Sequence, residues 1–301
     1  MPRAMIPVVL DCNGRELVLD RPRICGIINV TPDSFSENGR FLDRDQAIAH
    51  GLKLVEEGAD LLDIGGESTR PGAEPVPVEE EVARVVPVIE ALAARTTLPL
   101  SVDTSKPEVM RAAVGAGAGM INDVYALRRD GALDTAAALG VPVCLMHMQG
   151  EPRTMQIDPH YDDVVAEVHR FLAERLFACQ MAGIDRRRIV IDPGFGFGKN
   201  LDHNLALLRG LERFCELAPL MVGLSRKAMI GTLTGRTAHA DRAAGSAAAA
   251  LIAVQRGALV VRVHDVAITR DALHVWAAVA AGDSAAPAPS KAGKSSWDDD
   301  D

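Results

Sequence analysis

A barrel of eight parallel strands wrapped by helices is the fold class this chain predicts, and three observations carry the reading. Eight short apolar runs recur along the sequence, helix-like stretches alternate with them, and nearly every run ends in a polar or ionisable residue. Strict strand–helix alternation favours a parallel sheet. In a (β/α)8 TIM barrel, polar strand ends meet at one mouth and build a site there. An open, doubly wound sheet is the rival. It would gather polar strand ends at a single switch point, whereas here they occur along the whole chain.

The elements follow in order. Residues 1–22 read as an N-terminal hairpin turning at Asn13-Gly14 and placed to cover the barrel floor. Residues 23–282 form the barrel. Its first run, Ile24 to Val30, contains Asn29; Leu61 to Ile64 contains Asp63; Leu100 to Val102 runs into Asp103. Met120 and Ile121 precede Asn122, Val141 to Met146 leads to His147, and Ile189 to Ile191 stops at Asp192. Met221 to Leu224 reaches Ser225-Arg226-Lys227, and Leu259 to Val263 contains Arg262 and meets His264. Apolar spacings of three and four predict helices over 43–57, 78–94, 106–115, 130–139, 163–182, 201–211, 238–255 and 265–281. Residues 283–301, rich in Pro, Ser and Gly and closing on an Asp run, form an acidic tail expected to be disordered.

Composition bounds the function. The chain has 301 residues, 48% hydrophobic, enough for one large core. Aromatic residues make up only 4%, so Ala, Val, Leu and Ile must fill it. A net charge of -9 argues against general affinity for nucleic acid or anionic membranes. An anionic substrate then needs a local group of cations. Five scattered Cys without C-x-x-C spacing suit reduced thiols in a cytoplasmic protein. No secretory leader is evident. The uncharged Ala-rich stretch between Arg242 and Arg256 is too short to span a bilayer.

Three long loops leave strand C-terminal ends, over 31–42, 67–77 and 150–161, and are placed to close over a substrate. Asn29 alternates with Ile27 and should face the mouth, where its amide oxygen suits Mg²⁺; a turn or capping role is the alternative. Arg70 offers a planar fork for carboxylate or phosphate, or is simply a solvated loop residue. Asp63, inside an apolar run, needs a partner or a task. Asp103, Asn122 and Asp192 end three strands and together suit the edge of a flat heterocycle, with Met146, Phe197 and Ile121 packing on its faces. Helix capping is the alternative for any one of them. The stretch Asp192 to Lys199 matches neither phosphate-binding glycine pattern, so its glycines are read as letting backbone approach a flat ligand. Loops after the seventh and eighth strands of such barrels often hold phosphate. Lys227, Arg262 and His264 are therefore the candidate local positive field. His147 lacks zinc-ligand spacing and reads as a core or supporting residue.

These motifs resemble the dihydropteroate synthase family over about residues 24–281. The most specific stretches are Asn29 to Ser36, Glu67 to Gly72, Asp192 to Lys199, Ser225 to Lys227 and Arg262 to His264. The resemblance implies a transferase of folate biosynthesis that joins 4-aminobenzoate to a pterin methyl diphosphate and releases diphosphate. It implies that Asp103, Asn122, Met146, Asp192, Phe197 and Lys227 hold the pterin, with Asp103, Asp192 and Lys227 catalytic. Asn29, Thr69, Arg262 and His264 would take the diphosphate, with Mg²⁺ at Asn29. Phe35, Thr69, Arg70 and Pro71 would frame the aminobenzoate. Relatives often carry Ser after the lysine, where this chain has Ala228. A homodimer through C-terminal barrel helices is also implied. A pterin-dependent methyltransferase and a non-catalytic paralogue are the rival readings. The diphosphate motifs and intact polar strand ends speak against them.

Overall fold

The computed structural model describes residues 8–31, 40–70 and 72–281. Phe35, Pro71 and the tail lie outside the described residues. Ten strands and nine α-helices alternate in the described chain. The strands are β1 (Val8–Asp11), β2 (Glu16–Leu19), β3 (Arg23–Asn29), β4 (Leu61–Gly65), β5 (Leu100–Asp103), β6 (Met120–Asp123), β7 (Val143–Met146), β8 (Ile189–Asp192), β9 (Met221–Val222) and β10 (Val260–Val263). The helices are α1 (Arg40–Glu56), α2 (Val78–Ala93), α3 (Pro107–Gly115), α4 (Ala132–Leu139), α5 (Val164–Met181), α6 (Leu201–Arg209), α7 (Ala228–Thr234), α8 (Ala243–Gln255) and α9 (Val266–Ala281).

β3 to β10 form one eight-stranded sheet in the order β8-β7-β6-β5-β4-β3-β10-β9, with the paired strands parallel. A single parallel bridge between Ile191 and Leu220 joins its edges and nearly closes the barrel. Most boundaries fall within a few residues of the pattern-based ones, and the exceptions have local causes. α4 starts at Ala132 because Gly131 sits at φ 74, outside helical geometry. α5 starts at Val164 because the Asp163 side chain accepts from the Val165 and Ala166 amides. The single helix expected over 238–255 is a 3₁₀ turn, Ala240–Arg242, followed by α8. α7 is an additional element that apolar spacing did not reveal.

The hairpin β1–β2 turns at Asn13 (φ 58) and Gly14 (φ 79), the two left-handed residues that a tight two-residue turn requires. Its Leu10, Cys12, Leu17 and Leu19 pack against Cys25, Leu61, Met120, Cys144, Val190, Met221 and Val260, one apolar layer that plugs the barrel floor. Backbone passes very close here. A Cβ on Gly119 would stand 2.1 Å from the Cys12 carbonyl oxygen. The larger apolar core lies between the strands and the helices, with Ile28, Ile64, Val102, Ile121, Leu145, Ile191 and Val261 facing outward into it.

Candidate active site

The two-residue period of a strand decides what lies above the floor. If Cys25, Leu61, Met120, Cys144, Val190 and Val260 line the floor, then the residues two further on share their inward face. Those are Ile27, Asp63, Asn122, Met146, Asp192 and Arg262, with Ser101 and Asp103 joining from β5. The polar strand ends therefore converge by alternation alone. Ile121 faces the opposite way, fully buried among the helices. The expectation that it covers a heterocycle is corrected: its neighbours Met120 and Asn122 occupy the inward face.

At the centre, Arg262 bridges two carboxylates. Its Nε donates to Asp63 Oδ2 at 2.6 Å and its Nη2 to Asp103 Oδ2 at 2.7 Å. Asn122 Nδ2 donates to the same Asp63 oxygen at 3.0 Å. Asp63 is 0% exposed, and its Oδ1 has no partner among the described residues. The capping alternative for Asp103 fails, because Lys106 caps α3. Burial pushes the Asp103 carboxyl up to about 7; Arg262 pulls it down, while Asp63, Asp123 and Glu81 push it further up. The guanidinium itself is held firmly charged by the two carboxylates, against the effect of its burial.

Beside this triad, Asp192 Oδ1 accepts from the Gly194 amide at 2.7 Å. Its Oδ2 accepts no hydrogen bond among the described residues and lies 3.9 Å from where a Cβ on Gly223 would stand. Burial pushes this carboxyl up, while the Gly194 amide, Lys227, Arg262 and Lys199 pull it down. Gly194 is at φ 70, and a Cβ there would lie 1.9 Å from the His147 carbonyl oxygen, so the chain admits only glycine. Lys227 stands with its Nζ 4.1 Å from the centre of the Phe197 ring. Burial brings its ammonium down to about 8, opposed by Asp192 and Asp103 and assisted by Arg262. Phe197 and Met146 belong to an apolar wall with Val124, Tyr125, Met148 and Met155.

The rim differs from expectation in its charge. His264 Nδ1 lies 3.0 Å from Ser225 Oγ. Burial takes this imidazole down to about 3, helped by Arg262, Arg226, Lys227 and Arg70. It is therefore neutral near pH 7 and contributes hydrogen bonds rather than charge. Arg226 turns away to pair with Asp265 at 2.6 Å and 3.0 Å. Arg262 is likewise matched by carboxylates. Beside Arg262, which keeps N–H groups to donate although its charge is matched, Lys227 and the exposed Arg70 are rim cations with no ion pair among the described residues, and the Arg70 charge reaches His264. Asn29, at the end of β3, and Thr69, on the loop after β4, are half-buried. Phe35 and Pro71 lie outside the described residues.

Sequence reading missed a supporting layer. Lys199 is buried under the glycine loop, where its Nζ donates to the Gly194 and Phe197 carbonyls, both at 2.9 Å, and meets His147 Nδ1 at 2.9 Å. Burial drives Lys199 well below the usual lysine range, and His147 falls to about 2 through burial and the Lys199 charge. Asp123 holds the turn after β6, accepting from Ser105 and from the Tyr125 and Leu127 amides. A lysine closing a glycine run was the available signal for the first. For Asp123 the signal was its place beside Asn122.

This arrangement of carboxylates, amide, ammonium and guanidinium beside an apolar wall suits a flat polar heterocycle and an attached anion. Residues 25–264 match the family described as pterin binding enzyme. The dihydropteroate synthase of Haemophilus influenzae is 51% identical over 272 residues, 90% of this chain and 98% of the relative. Among solved structures, Xanthomonas albilineans dihydropteroate synthase with 4-aminobenzoic acid superposes with a TM-score of 0.88 at 67% identity, covering 92% of this chain and 99% of that one. The same enzyme in complex with 7,8-dihydropteroate gives 0.84 at 64% identity, covering 91% and 99%.

Proposed function

The chain belongs to the pterin binding enzyme family, alongside its dihydropteroate synthases, and on that premise we infer the reaction and the task of each side chain. The protein is a transferase of folate biosynthesis. It joins 4-aminobenzoate to 6-hydroxymethyl-7,8-dihydropterin diphosphate, giving 7,8-dihydropteroate and diphosphate. The observation that carries this reading is the convergence of Asp192, Asn122 and Arg262 on the inward face of the strand ends, above one floor layer, with Arg262 bonded to Asp63 and Asp103.

The pterin edge is complementary to the unsatisfied groups of the cavity. Asp192 Oδ2 and Asn122 Oδ1 accept from its amino and ring N–H groups, and Lys227 donates to its acceptor atoms. Phe197 and Met146 cover its faces. The diphosphate lies toward Asn29, Thr69, Arg262 and His264. Arg262 has two of its five N–H groups committed to Asp63 and Asp103, which fixes the fork and leaves three N–H groups for the anion. As the C–O bond to diphosphate breaks, its electron pair leaves with the anion and positive charge spreads from the methylene into the ring. Asp103 and Asp192, buried beside it, stabilise that charge without having to reorganise. The arylamine lone pair then forms the C–N bond, and its proton departs to solvent. No protein nucleophile is needed. Thr69 and Arg70, with Phe35 and Pro71, frame the aminobenzoate. Ala228 is exposed at the start of α7 and offers no hydroxyl, so Arg70 carries the carboxylate contact.

Asn29 is the residue of this chain that would hold a magnesium ion. Among the described residues no three His, Cys, Asp or Glu side chains converge on a metal position. Asn29 would offer Mg²⁺ one neutral oxygen, a donor type that suits this hard cation. Such an ion would neutralise the departing diphosphate.

Two groups set the pH response. The ionised form of Asp103 is lost as pH falls through about 7, and the charged form of Lys227 is lost as pH rises through about 8. A plot of kcat/KM against pH is therefore expected to be a narrow bell between those values. A flat profile from pH 6 to 9 would show that neither charge matters. The reaction itself is tested by measuring diphosphate release: it should require both substrates and match dihydropteroate formation one to one. Release without the arylamine at the same rate would sink the reading.

Two coarser features complete the proposal. Leu233, Ile252, Ile268, Val275 and Val279 are exposed apolar side chains on α7, α8 and α9, which supports a homodimer through these helices; a monomer mass in sedimentation equilibrium would refute it. No helix among the described residues is long and apolar enough to cross a membrane. The free thiols of the described cysteines favour a reducing, cytoplasmic setting; fractionation with membranes would contradict it.

A further inference from the structure

Lys106 stands at the N-cap position of α3, three residues beyond Asp103, and lines a small pocket together with Glu67, Thr69, Glu81 and Asp103. An ammonium has three N–H donors, and all three are engaged. They go to the Glu67 carboxylate, to the Val76 carbonyl at 2.7 Å and to the Glu81 carboxylate. Glu67 opens the loop after β4, Val76 lies near its end, and Glu81 sits in the first turn of α2. One side chain thus grips both stems of the loop that presents Thr69 and Arg70.

The grip is sheltered and well anchored. Lys106 is 8% exposed and Glu81 1%, so water and salt screen the contact little. The Lys106 amide donates to Thr104 Oγ1 at 3.3 Å, and the Thr104 amide donates to the Asn122 carbonyl at 3.0 Å. The loop is therefore tied to the ends of β5 and β6, which carry Asp103 and Asn122. Its tip has weaker supports: the Gly72 amide on the Pro152 carbonyl at 3.2 Å, and an exposed Glu74–Arg153 pair at 3.2 Å.

We propose that Lys106 is a positioning residue: by stapling both stems of the 67–77 loop to the β5 end, it places Thr69 and Arg70 and so sets the affinity for 4-aminobenzoate while touching neither substrate. The proposal rests on the reading above that this loop frames the aminobenzoate.

The test is Lys106→Met in the full chain. Misplacing the loop is expected to raise KM for 4-aminobenzoate about tenfold, while KM and calorimetric affinity for the pterin diphosphate change less than about twofold. Lys106→Arg, which keeps charge and donors, should recover most of the loss. The backbone amides of Thr69, Arg70 and Gly72 should exchange with deuterium faster in Lys106→Met than in wild type. A residue serving stability alone would lower the melting temperature without separating the two KM values. If Lys106→Met does not fold, Glu67→Gln, which loosens one stem only, should show the same separation at smaller size. An unchanged aminobenzoate KM in a folded variant, or an equal rise in both KM values, overturns the proposal. If wild type fails to use aminobenzoate at all, the reading of the site falls. The exchange rate of the Thr69, Arg70 and Gly72 amides then still decides whether Lys106 holds the loop, and unchanged exchange means that it does not.

Discussion

Asp192→Asn is expected to leave a folded barrel whose kcat/KM is lower by about a thousandfold, the scale set by removing one buried group that stabilises developing charge. The asparagine oxygen can still accept from the Gly194 amide, which wild type holds at 2.7 Å, so the glycine loop keeps its course. What disappears is the negative charge and the second acceptor, Oδ2, that the proposal assigns to the pterin edge. The carboxyl is 5% exposed and burial already disfavours its ionised form, so a neutral amide should not lower the melting temperature. Loss of turnover with intact folding is the signature of a group acting on the reacting cation. Full turnover in the folded variant would remove Asp192 from the mechanism.

Arg262→Met is expected to destabilise the barrel itself, by about 3–5 kcal/mol, because it strands two carboxylates that share one cation. Asp63 is 0% exposed, and Asn122 would be its one remaining hydrogen-bond donor among the described residues. Asp103 would lose its only ion pair among the described residues. Adding Asp63→Asn to Arg262→Met should restore part of the stability, since residues joined in one network do not behave additively. Denaturant unfolding measures both effects. A single variant as stable as wild type would show that the carboxylates are neutral or solvated without Arg262. Activity should be lost in both variants, because the proposed mechanism needs the anchored fork to take up the departing diphosphate.

The sequence revealed the barrel and its cavity for one physical reason: a strand's period of two is written in its residues. Val190 and Asp192, Met120 and Asn122, Leu61 and Asp63 each alternate from floor to cavity. The same rule, had it been applied to Ile121, would have sent it outward. What stayed hidden depends on contacts between distant segments. No spacing shows that Arg262 bridges Asp63 and Asp103, or that this leaves its charge already matched. The neutrality of His264 is a consequence of burial among four cations and has no local signature. Lys106 and Lys199 look like solvated lysines in the sequence, and only packing shows that each is a buried tie. α7 escaped because Ala228–Thr234 is too short to display a helical period.

The central claim is that one cavity divides its labour, with the Asp192 side holding the pterin and the His264 side holding the diphosphate. Calorimetric titration of wild type, Asp192→Asn and His264→Ala with two ligands, the pterin diphosphate and the corresponding pterin alcohol, tests it most directly. Asp192→Asn should weaken both ligands, and His264→Ala only the diphosphate. Undiminished binding of the alcohol to Asp192→Asn, or equal weakening of both ligands by His264→Ala, would contradict that division.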